Sequence, residues 1–370
     1  MKILLCAATG QNPVNVLPLE SEQICPDVIY VAVTQGMKEQ GESLIAELKT
    51  IGKKVERLNI SNEHSLQSLT EQYENWLLDH QDDEIIVNLT GGTKPMSIAA
   101  YQLFSSYGFR CFYQNLDPNQ MVWLDDESII SNIGEKIGLE RYLKSYHFEV
   151  IKKQKLAAVS KAHKKYANLL FNELCKVGRY TDVCNLISKL NAHAAKPKLA
   201  DLKNFNLNHE EEAFLTHLSY ETDLFKLKAQ TIDWQSEDDR AIIAGGWLEV
   251  LTADLLRGHD FRDIHLSVEI AKSTQRVGAK TFQEIDVMAM QKQKLVMMEC
   301  KTINWKNTAD ASEAIYKLSA LSHIGLNTKP IFVSLYDISA DAKTRAAEHG
   351  IHVLAGQAAI MNLKNQLLSL

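Results

Sequence analysis

Over the first 145 residues of this 370-residue chain, short apolar runs alternate with amphipathic stretches. Runs at 2–8, 27–33, 54–60, 84–89 and 109–115 have the length and branched content of strands. Stretches at 42–51, 65–78 and 95–107 repeat their apolar positions at helical spacing. Short strands separated by helices predict a parallel sheet covered on both faces. Residues 120–124 and 128–130 are expected to add short antiparallel strands. Residues 150–172 hold no acid but carry Lys152, Lys153, Lys155, Lys161, Lys164 and Lys165. They read as a solvated connector helix or as a surface near nucleic acid. The pattern stays helical from 167 to about 228, where 180–190 fits one helix of a helix-turn-helix or winged-helix unit. A long helix is expected at 239–256. Strands follow at 264–270, 282–290 and 295–302, then helix 310–324, strand 330–335, helix 340–348 and strand 351–354. The expected fold class is α/β, with an N-terminal domain at 1–145, a helical connector at 146–233 and a C-terminal domain at 234–370.

Composition narrows the classes. Apolar residues make up 45% and charged residues 23% of the chain, with a formal net charge of −6 and a pI of about 6.1. This argues against a protein that coats nucleic acid by bulk charge, while local basic contacts stay open. The six cysteines are scattered without a CxxC pair and read as the reduced thiols of a cytoplasmic protein. The opening apolar run is too short for a signal peptide, and no stretch approaches the roughly 20 apolar residues that span a bilayer. No membrane partner is expected.

The chemistry concentrates in two places. In the C-terminal third, Glu284-Ile285-Asp286 is followed by Leu295-Val296-Met297-Met298-Glu299-Cys300-Lys301, with a polar hairpin turn between. Alternate residues share a strand face, so Leu295, Met297, Glu299 and Lys301 point one way and a hairpin brings Asp286 beside them. An acid and a lysine ending an apolar strand are costly to bury unless paired or bound to a metal. Phosphodiester hydrolysis needs a hard cation on carboxylate oxygens, with open positions for water and phosphate. Asp286 and Glu299 can supply those oxygens, the Cys300 carbonyl another, and Lys301 can orient or deprotonate the attacking water. Glu249 joins them as a fourth candidate. Its helical neighbours Gly245, Gly246, Thr252 and Ala253 are all small, so its face can lie close to a sheet edge; simple close packing is the plain alternative. Lys272, Arg276 and Lys280 occupy an acid-free stretch expected to touch substrate phosphates, or else to be an inert solvated loop.

In the N-terminal region, Ala8-Thr9-Gly10-Gln11-Asn12-Pro13 follows the first strand and Thr34-Gln35-Gly36-Met37 the second. Asn88-Leu89-Thr90-Gly91-Gly92-Thr93-Lys94-Pro95-Met96 joins a strand to a helix. Ligands of parallel sheets bind at the carboxyl ends of strands, beside helix N-termini. Here Gly91 and Gly92 would let the backbone approach a phosphate that Lys94 and the threonines bind. The loop is neither a Walker A nor a GxGxxG motif. A tight turn with Pro95 in the first helical turn explains the glycines but not Lys94 among hydroxyls.

Glu249, Asp286 and Glu299-Cys300-Lys301 resemble the PD-(D/E)xK pattern of restriction-endonuclease-like domains, with Ile285-Asp286 replacing the usual proline-aspartate. In that fold the acids hold magnesium or manganese and the lysine is catalytic. The Thr90–Met96 loop, with Thr9–Pro13 and Thr34–Met37, resembles the ligand loops of Rossmann-like CARF domains, the sensors of type III CRISPR defence. Together the chain resembles the CARF-plus-nuclease ancillary effectors of the Card/Can kind. The resemblance implies a homodimer that binds a cyclic oligoadenylate, with cyclic tetra-adenylate the expected activator. The implied ligand contacts are Thr9, Gly10, Gln11, Asn12, Thr34, Gln35, Thr90, Gly91, Gly92, Thr93, Lys94 and Met96. The implied output is metal-dependent cleavage of DNA or RNA. A competing reading is a ligand-controlled CARF DNA-binding regulator without cleavage, acting through the helical region; the Asp286, Glu299 and Lys301 set argues against it. A nucleotide hydrolase at Thr90–Met96 would lack a metal-binding acid nearby.

Overall fold

The structure is a computed structural model that describes all residues except 117–118, 132, 134–136, 195–199, 202–205, 229–230, 273–282, 306–310, 323, 326–327 and 370. The N-terminal sheet contains β1 (Lys2–Ala7), β2 (Val28–Thr34), β3 (Lys54–Ile60), β4 (Glu84–Asn88), β5 (Arg110–Leu116), β6 (Asn119–Trp123) and β7 (Ile129–Ser131), in the order β3-β2-β1-β4-β5-β6-β7. The first five strands run parallel and the last two antiparallel. Both faces are covered, as the unbroken apolar runs require. Leu4 and Cys6 pack on the side of helix Lys38–Thr50; Ile3 and Leu5 pack on the side of helices Leu66–Leu78 and Lys94–Ser106. Strand order reverses between β1 and β4, the switch point beside which ligands of open α/β sheets bind.

The C-terminal half contains β8 (Phe148–Lys155), β9 (Ala200–Asp201), β10 (Phe225–Lys228), β11 (Thr231–Trp234), β12 (Phe261–Lys272), β13 (Gln283–Gln291), β14 (Lys294–Lys301), β15 (Thr328–Ser334) and β16 (His352–Ala355). A six-stranded mixed sheet runs β16-β15-β14-β13-β12-β8, and β10-β11-β9 form a small antiparallel sheet. One face of the large sheet, including Val287, Met298 and Cys300, packs under helices Lys161–Leu174, Tyr180–Ala194, His209–Thr222 and Trp247–Leu255. The other face, including Ile285, Met288 and Met297, shares an apolar cluster with Leu4 and Val31 of the N-terminal sheet, bridged by Leu139 and Leu143 of helix Leu139–Ser145. The joint is also polar: Leu139 N donates to Asp263 Oδ2 at 2.9 Å and Arg262 donates to the Ile137 carbonyl at 2.7 Å.

Two expectations need correction. The basic stretch expected as a connector helix begins as β8, the edge strand of the C-terminal sheet, with Lys152 paired to Glu269 on β12 at 3.4 Å. Its helix starts only at Lys161. The single long helix is broken into Glu237–Ala241, a π turn at Ile242–Gly246 and Trp247–Leu255, with Gly245 at φ +144°. A Cβ at Gly245 would lie 2.8 Å from Thr302 Oγ1, so the break lets the helix sit against the end of β14. Among the described residues no helix is long and apolar enough to cross a membrane.

Candidate active site

The β13–β14 ladder pairs Gln291 with Lys294 and continues to Val287 with Met298, where it stops. Beyond that point the strands part, and the Asp286 carboxylate takes the place of a ladder partner: Cys300 N donates to Asp286 Oδ2 at 2.7 Å. β14 stays paired to β15 as far as Lys301 and Ser334, so Glu299 and Lys301 are held rigidly. The Lys301 ammonium lies 2.6 Å from Glu299 Oε1 and 3.2 Å from Asp286 Oδ2. Both acids are buried, Glu299 at 2% and Asp286 at 8% exposure. The structure thus brings together three of the four expected catalytic side chains in direct contact.

Glu249 lies on helix Trp247–Leu255, which packs across the parting strands; one turn on, Thr252 Oγ1 is 3.8 Å from Cys300 Sγ. Burial first, and then the charge of Asp286, push the half-buried Glu249 carboxylate up to about 8. Burial alone would lower the Lys301 ammonium, but Asp286 and Glu299 outweigh it and hold it firmly protonated. In this resting arrangement Lys301 is a charge donor rather than a base. Burial raises the Cys300 thiol, whose Sγ faces Thr252 on the helix. Its carbonyl remains the group expected to join the acids.

The donor set fits a hard divalent cation in kind: two carboxylates hold one ammonium, and Glu249, close enough to feel the charges of all three, has no hydrogen bond or ion pair among the described residues to compensate its burial. The acids are arranged around Lys301 rather than around a closed metal cage; among the described residues no three acid, histidine or cysteine side chains already enclose one.

One residue of the site escaped the sequence reading. Glu299 is level with Phe332 in the β14–β15 register, and Phe332 packs under Ile315 and Leu318 of helix Ser312–Leu321. That packing sets Lys317 over Glu299, with Nζ at 3.0 Å from Oε1 and 2.8 Å from Oε2. Spacing along one strand cannot reveal a contact made from a separate helix. Of the expected substrate residues, Lys272 stands exposed at the end of β12; Arg276 and Lys280 lie outside the described residues.

The N-terminal loops meet over the carboxyl ends of β1 and β4. Buried Asn88 donates to the Val14 carbonyl at 2.8 Å and to Asn15 Oδ1 at 3.0 Å, and Asn15 donates to the Ala7 carbonyl at 2.9 Å. Thr90 Oγ1 donates to Asn88 Oδ1 at 2.7 Å and accepts from Gln114 N at 2.7 Å. This buried network, which ties the Thr90 loop to Val14 and Asn15 just past the Thr9–Pro13 loop, was not anticipated. The glycines also have a cause within the fold: a Cβ on Gly91 would lie 2.4 Å from the Ala7 carbonyl oxygen, and Gly92 has φ +80°. They let the loop cross the end of β1. Thr93 caps helix Lys94–Ser106, accepting from Met96 N at 3.4 Å. Met96 and Thr34 are buried, while Gly10, Gln35, Gly92 and Lys94 are exposed. Asn12 is fully buried with neither amide atom hydrogen-bonded. Lys94 has no ion pair among the described residues and stands at a helix N-terminus, where a cation is unfavourable unless an anion joins it.

In the helical region, His209–Thr222 is followed by the β10–β11 hairpin, a winged arrangement. Its first turn exposes Glu210 and Glu212, a poor surface to present to a phosphate backbone.

Residues 9–142 match the Card1 CARF domain, and residues 236–370 match the Card1-like endonuclease domain. Among solved structures, Can2 from Sulfobacillus thermosulfidooxidans in complex with cyclic tetra-adenylate is similar at TM-score 0.80 and 22% identity, covering 100% of this chain and 99% of that one. Protein VC1899 from Vibrio cholerae is similar at TM-score 0.86 and 19% identity, covering 100% and 97%. A type III CRISPR defence DNA nuclease activated by cyclic oligoadenylate is similar at TM-score 0.55 and 14% identity, covering 90% and 45%. At these identities the likeness is one of fold. No curated protein matches the chain. The chain is therefore a Card1-type CARF domain joined to a Card1-like endonuclease domain.

Proposed function

We propose that the chain is a homodimeric, cyclic-oligoadenylate-activated endonuclease of type III CRISPR defence, with cyclic tetra-adenylate as activator and DNA or RNA as substrate. The observation that carries the nuclease reading is the Lys301 ammonium held between Asp286 and Glu299 where β13 and β14 part. A magnesium or manganese ion bound by Asp286, Glu299, Glu249 and the Cys300 carbonyl would supply Lewis acidity and an activated water. Lys301, fixed and protonated, donates to that water or to the phosphate and offsets charge growing on it. The buried strand ends hold both acids in place and keep bulk water from Glu299.

The sensor reading rests on Lys94 and Asn12. An anionic ring at the β1 and β4 ends would pair Lys94 and give the Asn12 amide the partners it lacks. The likeness to a structure that holds cyclic tetra-adenylate supports that ring size. Exposed Ile98 and Tyr101 on helix Lys94–Ser106, with exposed Tyr113 on the neighbouring β5, give a second copy an apolar surface beside the pocket. A route to the nuclease is present in the shared cluster. Helix Lys38–Thr50 begins just past Thr34 and Gln35, and its far end packs on Leu139–Ser145, which leads into β8. The test is a panel of double-stranded DNA, single-stranded DNA and RNA with magnesium or manganese and cyclic tri-, tetra- and hexa-adenylate. Cleavage of at least one substrate only with a ring present is expected; a protein that binds rings but cuts nothing is a regulator instead.

A further inference from the structure

We infer that Lys317 is a substrate-phosphate residue, held in reserve on Glu299 until a divalent cation takes that carboxylate. The inference rests on the nuclease reading above and adds to it a residue from outside the Asp286, Glu299 and Lys301 set. Lys317 Nζ reaches both oxygens of Glu299, at 3.0 and 2.8 Å, while Lys301 Nζ holds Oε1 at 2.6 Å and Asp286. Glu299 is nearly wholly buried, so its two lysine partners are the arrangement that makes its charge tolerable there.

Charge balance distinguishes the two lysines. Asp286 and Glu299 carry two negative charges, and Lys301 and Lys317 carry two positive ones, so this group of four is neutral. A divalent cation shared by the same carboxylates brings two positive charges, of which an ionised Glu249 would offset one, so the site is left with excess positive charge, and both Glu299 oxygens can no longer serve two ammoniums and a cation. Lys301 is fixed by the rigid end of β14 and keeps Asp286. Lys317 has no second acid partner among the described residues and is about a third exposed, at 31%. It is the group free to turn outward, and a phosphodiester is the anion that restores balance. Lys317 sits on a helix clamped by Ile315 and Leu318, so the reach is made by a flexible side chain from a fixed base. Lys317 thus reads the anionic phosphodiester backbone by charge.

The test uses the full-length protein, wild type and Lys317→Gln and Lys317→Arg variants, each checked for folding by thermal unfolding. Manganese binding is followed by thermal shift. Binding of fluorescein-labelled single-stranded DNA and RNA is followed by anisotropy in calcium, with cyclic tetra-adenylate present, across a salt series. Lys317→Gln is expected to bind manganese at a several-fold lower concentration, because Glu299 is released. It is expected to bind the oligonucleotide roughly tenfold more weakly, with a salt slope reduced by about 0.7 to 0.9. Lys317→Arg is expected to restore oligonucleotide affinity to within about threefold, since charge is what it supplies. An unchanged affinity and salt slope in Lys317→Gln, with the wild type cleaving, overturns this inference alone. A wild type that binds the labelled strand but never cleaves it overturns the nuclease reading and this inference with it.

Discussion

The Lys301 ammonium lies 2.6 Å from Glu299 Oε1, two residues back on the same strand, and 3.2 Å from Asp286 Oδ2 on the strand that has parted from it. One cation therefore serves two buried acids. Lys301→Ala is expected to lower the cleavage rate by at least about 10³-fold and to leave cyclic tetra-adenylate affinity unchanged, as measured by calorimetry. A cutting rate near wild type would remove Lys301 from the reaction.

The loop glycines separate two causes that the sequence confounds. Gly91→Ala places a methyl 2.4 Å from a backbone oxygen of β1, whereas a Cβ at Gly10 meets nothing within 4 Å. Gly91→Ala is expected to lower Tm by several degrees and weaken ring binding at least about tenfold, through a displaced loop. Gly10→Ala is expected to leave Tm at the wild-type value. Equal effects on Tm would mean that crossing β1 is not what demands the glycine.

Lys94 stands exposed at the start of helix Lys94–Ser106, beside the proposed ring site. Lys94→Ala should raise the cyclic tetra-adenylate concentration for half-maximal activation by about tenfold, worth about 1.4 kcal/mol. The Tm of the ligand-free protein should stay level or rise slightly, since a cation is removed from a helix N-terminus. Identical activation curves would take Lys94 out of the pocket.

Glu47 gives a pH dependence. It is buried on helix Lys38–Thr50 with neither oxygen hydrogen-bonded, and burial pushes its carboxyl up to about 7 despite Arg141 and Lys144. A raised carboxyl binds its proton more tightly folded than unfolded. Stability is therefore lost as pH rises from about 4.5 through 7, and the full cost, about 3 kcal/mol, is present above that. Glu47→Gln is expected to raise Tm by a few degrees at pH 8 and hardly at all at pH 4.5. A gain of equal size at both pH values would show that the effect is packing, not charge.

Much of the fold was legible because its strands are buried on one or both faces and so carry strong apolar patterns. β3 spans 54–60 as expected and most other strands begin or end within a few residues of the apolar runs. β8 was missed because it is an edge strand, mostly solvent-facing and rich in lysine, the composition that guards an edge against pairing. The break at Gly245 was missed because its cause is Thr302, more than fifty residues away. At the active site, strand periodicity places Glu299 beside Lys301, and a hairpin delivers Asp286. Lys317 and the Asn88–Asn15 network depend on contacts between elements, which no periodicity encodes.

The central claim is a nuclease switched on by a ring. The most direct measurement is manganese-dependent cleavage by wild type and Lys301→Ala, with and without cyclic tetra-adenylate, on the best substrate of the panel. The account predicts rapid cutting only by the wild type and only with the ring. Cutting by Lys301→Ala, or cutting by the wild type that ignores the ring, would contradict it.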